Sequence, residues 1–152
     1  MLLFGLLRDR YPLERSPCLN AGGQPAFSNQ CAIRMSVALI GAGWSLDSFP
    51  GGKCPHGHAR ISQQLADWLQ RDFSAPRIVS SGGESALRRE IAQRQGIIFF
   101  QNCFARPDEE AMEGDHIDLW DCGNRVRTFC WFPPRGLSSQ IWFWDLTGML
   151  TC

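Results

Sequence analysis

Lysine is nearly missing from this chain. Lys53 stands alone, and arginine supplies the rest of the 15 basic residues, which 15 acidic residues balance to a formal net charge of zero. A neutral chain without a basic stretch lacks the electrostatic footprint of a nucleic-acid binder, so no nucleic-acid partner is expected. Long apolar runs are missing too. Nothing approaches the roughly 18 residues of a membrane span, so no membrane insertion is expected. The short run Met1-Leu-Leu-Phe-Gly-Leu-Leu7 has no basic start, and no small-residue cleavage site precedes Arg8-Asp-Arg10. It is therefore not expected to be a Sec leader, and any export is expected by a route without a Sec signal. Gly51-Gly52 and Gly82-Gly83 sit in no phosphate-binding motif ending in Lys-Ser/Thr. Histidine is scarce, with only His56, His58 and His116, which leaves few candidates for a general base.

What is present is ordinary for a globular protein: 152 residues, 44% apolar and 20% charged. That length predicts one domain over 1–152, large enough for its own core. Seven cysteines are the exception: Cys18, Cys31, Cys54, Cys103, Cys122, Cys130 and Cys152. If one is a catalytic thiol, six remain, enough for three disulfides in an oxidising compartment. The competing reading is that several are reduced and buried. Cys122 and Cys130 flank a hairpin turn and are the best candidate pair.

Residues 1–30 read as mostly irregular, with Pro12, Pro17, Pro25 and Gly22-Gly23. A helix then begins at Cys31 and stops at Gly41 or Gly43. A loop dense in glycine and proline runs from Trp44 to His58. A second helix spans Ala59 to about Asp72, with Ile61, Leu65, Trp68 and Leu69 on one face. Arg77-Ile-Val79 reads as a short strand and Ala86 to Arg94 as a short helix. Beyond Gly96 the pattern turns to strands. Gly96-Ile-Ile-Phe-Phe100 is a buried strand, and a charged loop runs from Arg106 to Gly114. Asp115 to Trp120 alternates, with Ile117 and Leu119 on one face and His116, Asp118 and Trp120 on the other. Arg125 to Phe132 pairs back after a turn, and Ile141 to Trp144 adds an edge strand. Helices first and an antiparallel sheet afterwards make an α+β layout.

Phe27-Ser-Asn-Gln-Cys-Ala-Ile-Arg-Met-Ser36 places Cys31 where a loop becomes a helix. Ser28 or Asn29 can cap the first turn. A helix N-terminus favours thiolate over thiol and can lower a cysteine pKa from about 8.5 to roughly 3.5–7.5. Packing that helix start against the His116 face of the strand would bring Cys31 and His116 within hydrogen-bond reach, the arrangement of an activated nucleophile and its base. The Cys31 N–H would then be a candidate oxyanion donor. Asp118 shares the face of His116 and can orient the imidazole or bind substrate. Each residue also has a plain reading: a core thiol, a half-exposed strand histidine and a solvated carboxylate.

Two other clusters compete. Cys54-Pro-His-Gly-His58 carries ligand types for zinc, but its spacing matches no standard finger. It reads as a loop turned by Gly57, so no metal and no cofactor are expected. A zinc hydrolase using Cys54, His56 and His58 is kept as an alternative. So is a non-catalytic wall-binding module, with Trp131, Phe132, Trp142, Phe143 and Trp144 as a sugar-stacking surface. Such a cluster is more often sheet packing.

Three blocks occur in order: Asn29-Gln-Cys-Ala-Ile-Arg-Met-Ser36, then Cys54-Pro-His-Gly-His-Ala-Arg60 leading into Leu65-Ala-Asp-Trp-Leu69, then Gly114-Asp-His-Ile-Asp-Leu-Trp120. Together they resemble the fourth family of type VI secretion amidase effectors, over about Phe27 to Thr128. The resemblance implies an antibacterial toxin with an NlpC-like, papain-like cysteine peptidase fold. It implies delivery by a type VI secretion apparatus into the periplasm of a rival bacterium. There the toxin would hydrolyse the peptidoglycan stem-peptide bond between γ-D-glutamate and meso-diaminopimelate, and a cognate immunity protein would block it in the producer. Cys31 matches the family nucleophile and His116 its base. The family's third residue, an aspartate about one strand later, falls where this chain has Arg127 and Thr128. Asp118, Asp121 and Asn124 are the substitutes, and Asp118 is taken because it shares the face of His116.

Overall fold

In a computed structural model of the chain, the described residues are 3–79, 89–105, 114–122, 124–125 and 140–148. Three helices come first: α1 (Leu3–Arg10), α2 (Cys31–Gly41) and α3 (Ser62–Asp72). Five strands follow: β1 (Arg77–Val79), β2 (Gln95–Phe104), β3 (Gly114–Asp121), β4 (Asn124–Arg125) and β5 (Gln140–Asp145). They form one sheet in the order β1-β5-β2-β3-β4, antiparallel at every step. The α+β layout holds, and no described helix is long and apolar enough to cross a membrane.

Three elements differ from the sequence reading. The N-terminal segment is not all irregular, because α1 precedes the prolines. Phe4 and Leu7 are buried on it and Tyr11 follows one turn later, an i, i+3, i+7 spacing that places all three on one face. Arg8 and Arg10 close the helix where its dipole favours cations. The second helix starts at Ser62 rather than Ala59, because Lys53 and Ala59 pair as a short antiparallel bridge first. The last strand is no edge: β5 lies between β1 and β2. Of the strand expected over 125–132, only Arg125 is among the described residues, pairing with Trp120. Trp131, Phe132 and residues 86–88 of the expected 86–94 helix lie outside them, and residues 89–91 are helical.

Both faces of the sheet are covered. One carries Ile97, Phe99, Ile117, Leu119, Trp142 and Trp144, packed with Ala32, Met35 and Leu39 of α2 and with Leu65 and Leu69 of α3. The other carries Ile98, Phe100, Trp120, Ile141 and Phe143. Trp142, Phe143 and Trp144 are all buried, so the described part of the aromatic cluster is packing and not a sugar-stacking surface. At Gly96 an added Cβ would lie 2.1 Å from the Trp144 carbonyl oxygen, so β2 and β5 approach as closely as they do only because that residue lacks a side chain.

Cys18, Cys31, Cys54 and Cys103 are free and buried thiols. This corrects the three-disulfide arrangement: a reduced thiol fills the core at Cys18, Cys54 and Cys103. Cys122 is disulfide-bonded, and its expected partner Cys130 lies outside the described residues.

Candidate active site

Cys31 is the first residue of α2. Its N–H donates to Asn29 Oδ1 at 3.1 Å, so the expected Asn29 cap is present. The same bond occupies the N–H that the sequence offered as an oxyanion donor. The Cys31 side chain points at the long edge of β3. Among the described residues, β4 pairs with Trp120 and Asp121 at the far end of that edge, and Cys31 meets its start. There Cys31 Sγ lies 3.9 Å from the Asp115 carbonyl oxygen and receives the Ile117 N–H. Ser62 Oγ, at the start of α3, is 2.9 Å from Sγ. Two helix N-termini therefore meet at one sulfur, and both favour negative charge on it.

The Cys31 thiol sits below its ordinary pKa through a contest of opposing effects. Burial is the largest and pushes it up. The hydrogen bond and charge of His116 pull it down, followed by the bonds from Ser62 and Ile117, and together they win. On the far side of the imidazole, His116 Nε2 lies 3.4 Å from Asp118 Oδ2. Asp118 is itself held, because its Oδ1 accepts the Leu119 N–H at 2.7 Å. The His116 ring stacks at 6.3 Å on Phe100, its direct cross-strand partner.

Two expectations about this strand are corrected. His116 and Asp118 are not half-exposed, being 2% and 0% accessible. Nor does α2 pack on their face. It packs on the Ile117 and Leu119 face, and Cys31 meets the strand at the Asp115 and Ile117 backbone. Alternation correctly separates the two faces, but the second face is buried as well.

Of the residues named from sequence, Cys31, His116 and Asp118 come together. Asp121 does not join them: its carboxylate bonds Arg8 at 3.1 Å and Gln95 Nε2 at 2.8 Å. Nothing is described of the Asn124 side chain, and Arg127 and Thr128 lie outside the described residues. Cys54, His56 and His58 are elsewhere, on the face of α2 that carries Ile33. Sequence reasoning missed Ser62 and Tyr11. Ser62 had a weak signal as a helix-start residue, and Tyr11 had its spacing from Phe4 and Leu7. The Tyr11 hydroxyl is buried beside the Asp118 carboxylate. Burial first, then the nearby charges of Asp118 and Cys31, hold it well above the usual phenol range.

Residues 27–144 match the family of type VI secretion system (T6SS), amidase effector protein 4. No curated protein sequence matches the chain. Among solved structures, the Tae4 effector of the Tae4–Tai4 effector–immunity complex from Salmonella Typhimurium aligns with a TM-score of 0.64 at 19% identity, over 94% of each chain. Tae4 from Enterobacter cloacae aligns with a TM-score of 0.61 at 22% identity, over 97% of this chain and 98% of that one. At such identities these likenesses speak for the fold.

Proposed function

Because the chain belongs to the family of type VI secretion amidase effector protein 4, we propose that Cys31 is its nucleophile, His116 its general base and acid, and Asp118 the group that orients His116. The substrate is the peptidoglycan stem peptide, and the bond cut is the amide between γ-D-glutamate and meso-diaminopimelate. Cys31 Sγ attacks the carbonyl carbon as thiolate. His116 protonates the departing amine, leaving a thioester on Cys31. His116 then takes a proton from water, whose oxygen attacks the thioester and releases the new carboxylate. Ser62 loses its anionic partner once the sulfur is acylated, so its hydroxyl is free to donate to the carbonyl oxygen. The Cys31 N–H can join it only if Asn29 swings away.

The observation that carries this reading is the buried Cys31–His116 contact with Asp118 behind it. A type VI apparatus delivers the effector, which acts in the periplasm of the target bacterium, and a cognate immunity protein protects the producer. The relatives crystallised as effector–immunity complexes support that pairing.

Incubation with purified peptidoglycan tests the chemistry. Wild type should release new diaminopimelate amines, identified by mass spectrometry. Cys31→Ala should release none, and His116→Ala should be slower by about 10²–10⁴-fold, each with unchanged circular dichroism. Full activity in Cys31→Ala would sink the proposal. Targeted to the periplasm of a susceptible cell, wild type should lyse it and Cys31→Ala should not. Lysis by the protein kept in the cytoplasm would count against the site of action.

A further inference from the structure

The second cluster of reactive side chains lies away from Cys31. The segment Cys54-Pro-His-Gly-His58 folds into a tight turn. Cys54 N–H donates to the His58 carbonyl at 2.8 Å, Gly57 N–H donates to the Cys54 carbonyl at 2.8 Å, and Gly57 takes φ +84°. The turn sets His56 and His58 side by side, with ring centroids 6.5 Å apart and planes 18° from parallel. Onto it comes Cys18, from a part of the chain that no local pattern connects with the turn. Cys18, Cys54 and Ile33 pack together. Cys18 Sγ lies 3.5 Å from His56 Nδ1, and Cys54 Sγ lies 3.7 Å from His58 Nδ1. The two sulfurs and the His56 nitrogen all fall within 4.8 Å of one another, the one such group of three among the described residues.

We propose that Cys18, Cys54 and His56 bind a structural zinc ion, with a water as the fourth ligand. The donor set is two thiolates and one imidazole, which suits a tetrahedral Zn²⁺. The spacing agrees. With bonds of about 2.3 Å to sulfur and about 2.05 Å to nitrogen, a tetrahedral sulfur–nitrogen edge is about 3.6 Å, and the Cys18–His56 contact of 3.5 Å lies within 0.1 Å of it.

The ion would brace the catalytic turn and take no part in hydrolysis. Gln30 Nε2 donates to the Cys18 carbonyl at 2.8 Å, and Cys18 N–H donates to Gln30 Oε1 at 3.1 Å. Gln30 immediately precedes Cys31. Fixing Cys18 to the 54–58 turn thus fixes the segment that presents the nucleophile.

The test uses the full chain carrying Cys31→Ala, so that the catalytic thiol contributes no signal. Titration with Co²⁺ under reducing conditions should give the visible d–d bands of tetrahedral cobalt and a thiolate charge-transfer band. Both should saturate at one equivalent and bleach on adding Zn²⁺. They should be lost when Cys18→Ser or Cys54→Ser is added, weaken with His56→Ala and persist with Cys103→Ser. Zn²⁺ should raise the Tm of the parent but not of the Cys18→Ser protein. If Cys18→Ser does not fold, zinc X-ray absorption of the parent should show two sulfur neighbours. Absence of saturable cobalt bands in folded parent overturns the proposal. So do bands that survive Cys18→Ser, a zinc shell without sulfur, or a Cys18–Cys54 disulfide forming in the presence of equimolar zinc.

Discussion

At the scale of single residues, the sulfur of Cys31 is a balance that can be tipped from either side. Burial alone would keep it a thiol, and His116, Ser62 and Ile117 reverse that. The rate of alkylation by iodoacetamide follows the thiolate fraction, so its midpoint in pH should fall below the roughly 8.5 of an ordinary thiol. Ser62→Ala removes one favourable bond and should move the midpoint up. His116→Ala leaves burial opposed only by the weaker bonds and should move it further up. A midpoint unchanged in both variants would mean that neither neighbour sets the charge. Tyr11 offers a second readout, because it is the only tyrosine in the chain. Its raised pKa means that the phenolate absorbance band should appear only as the protein unfolds in alkali.

At the scale of elements, the site is held by the way α2 is fastened. Ser36, one turn beyond Cys31 and fully buried, donates to the Ala32 carbonyl at 2.8 Å and accepts the Ala59 N–H at 3.0 Å. It ties α2 to the segment that leads into α3, and so sets the distance between Cys31 and Ser62. Ser36→Ala leaves the Ala59 N–H buried and unpaired, a loss of about 1–3 kcal/mol that urea unfolding would measure. Ser36→Thr would keep the bond and should recover part of that loss if the added methyl fits. Arg34 fastens the other side of α2 by donating to the carbonyls of Pro12 and Arg15. Both residues sit in the Asn29 to Ser36 block that first marked the family, so that block carries attachments of the nucleophile helix as well as the nucleophile.

At the scale of the whole molecule, α1 closes the structure over the helix face of the sheet. Phe4 and Leu7 join the core there, and Arg8 reaches Asp121 on β3 at 3.1 Å. The two kinds of contact should differ sharply in weight. Leu7→Ala should cost about 2–5 kcal/mol by leaving a cavity, whereas Arg8→Ala, at a half-exposed ion pair, should cost under about 1 kcal/mol and less in high salt. Thermal or urea denaturation of the two variants separates these. The sequence by itself determined what is local. Helical spacing after Cys31, strict alternation from Asp115 to Trp120 and the order of helices before strands all come from neighbouring residues; they made Cys31 and His116 candidates, and the three ordered blocks made them the leading ones. Tertiary structure alone decided the rest. It buried the His116 face, placed β5 inside the sheet, and set Ser62 beside Cys31 and Cys18 beside His56, pairs 31 and 38 residues apart. Contacts at such separations leave no periodic trace along the chain. They exist because the packing of α1, α2 and α3 on one sheet face leaves those side chains no other place to go.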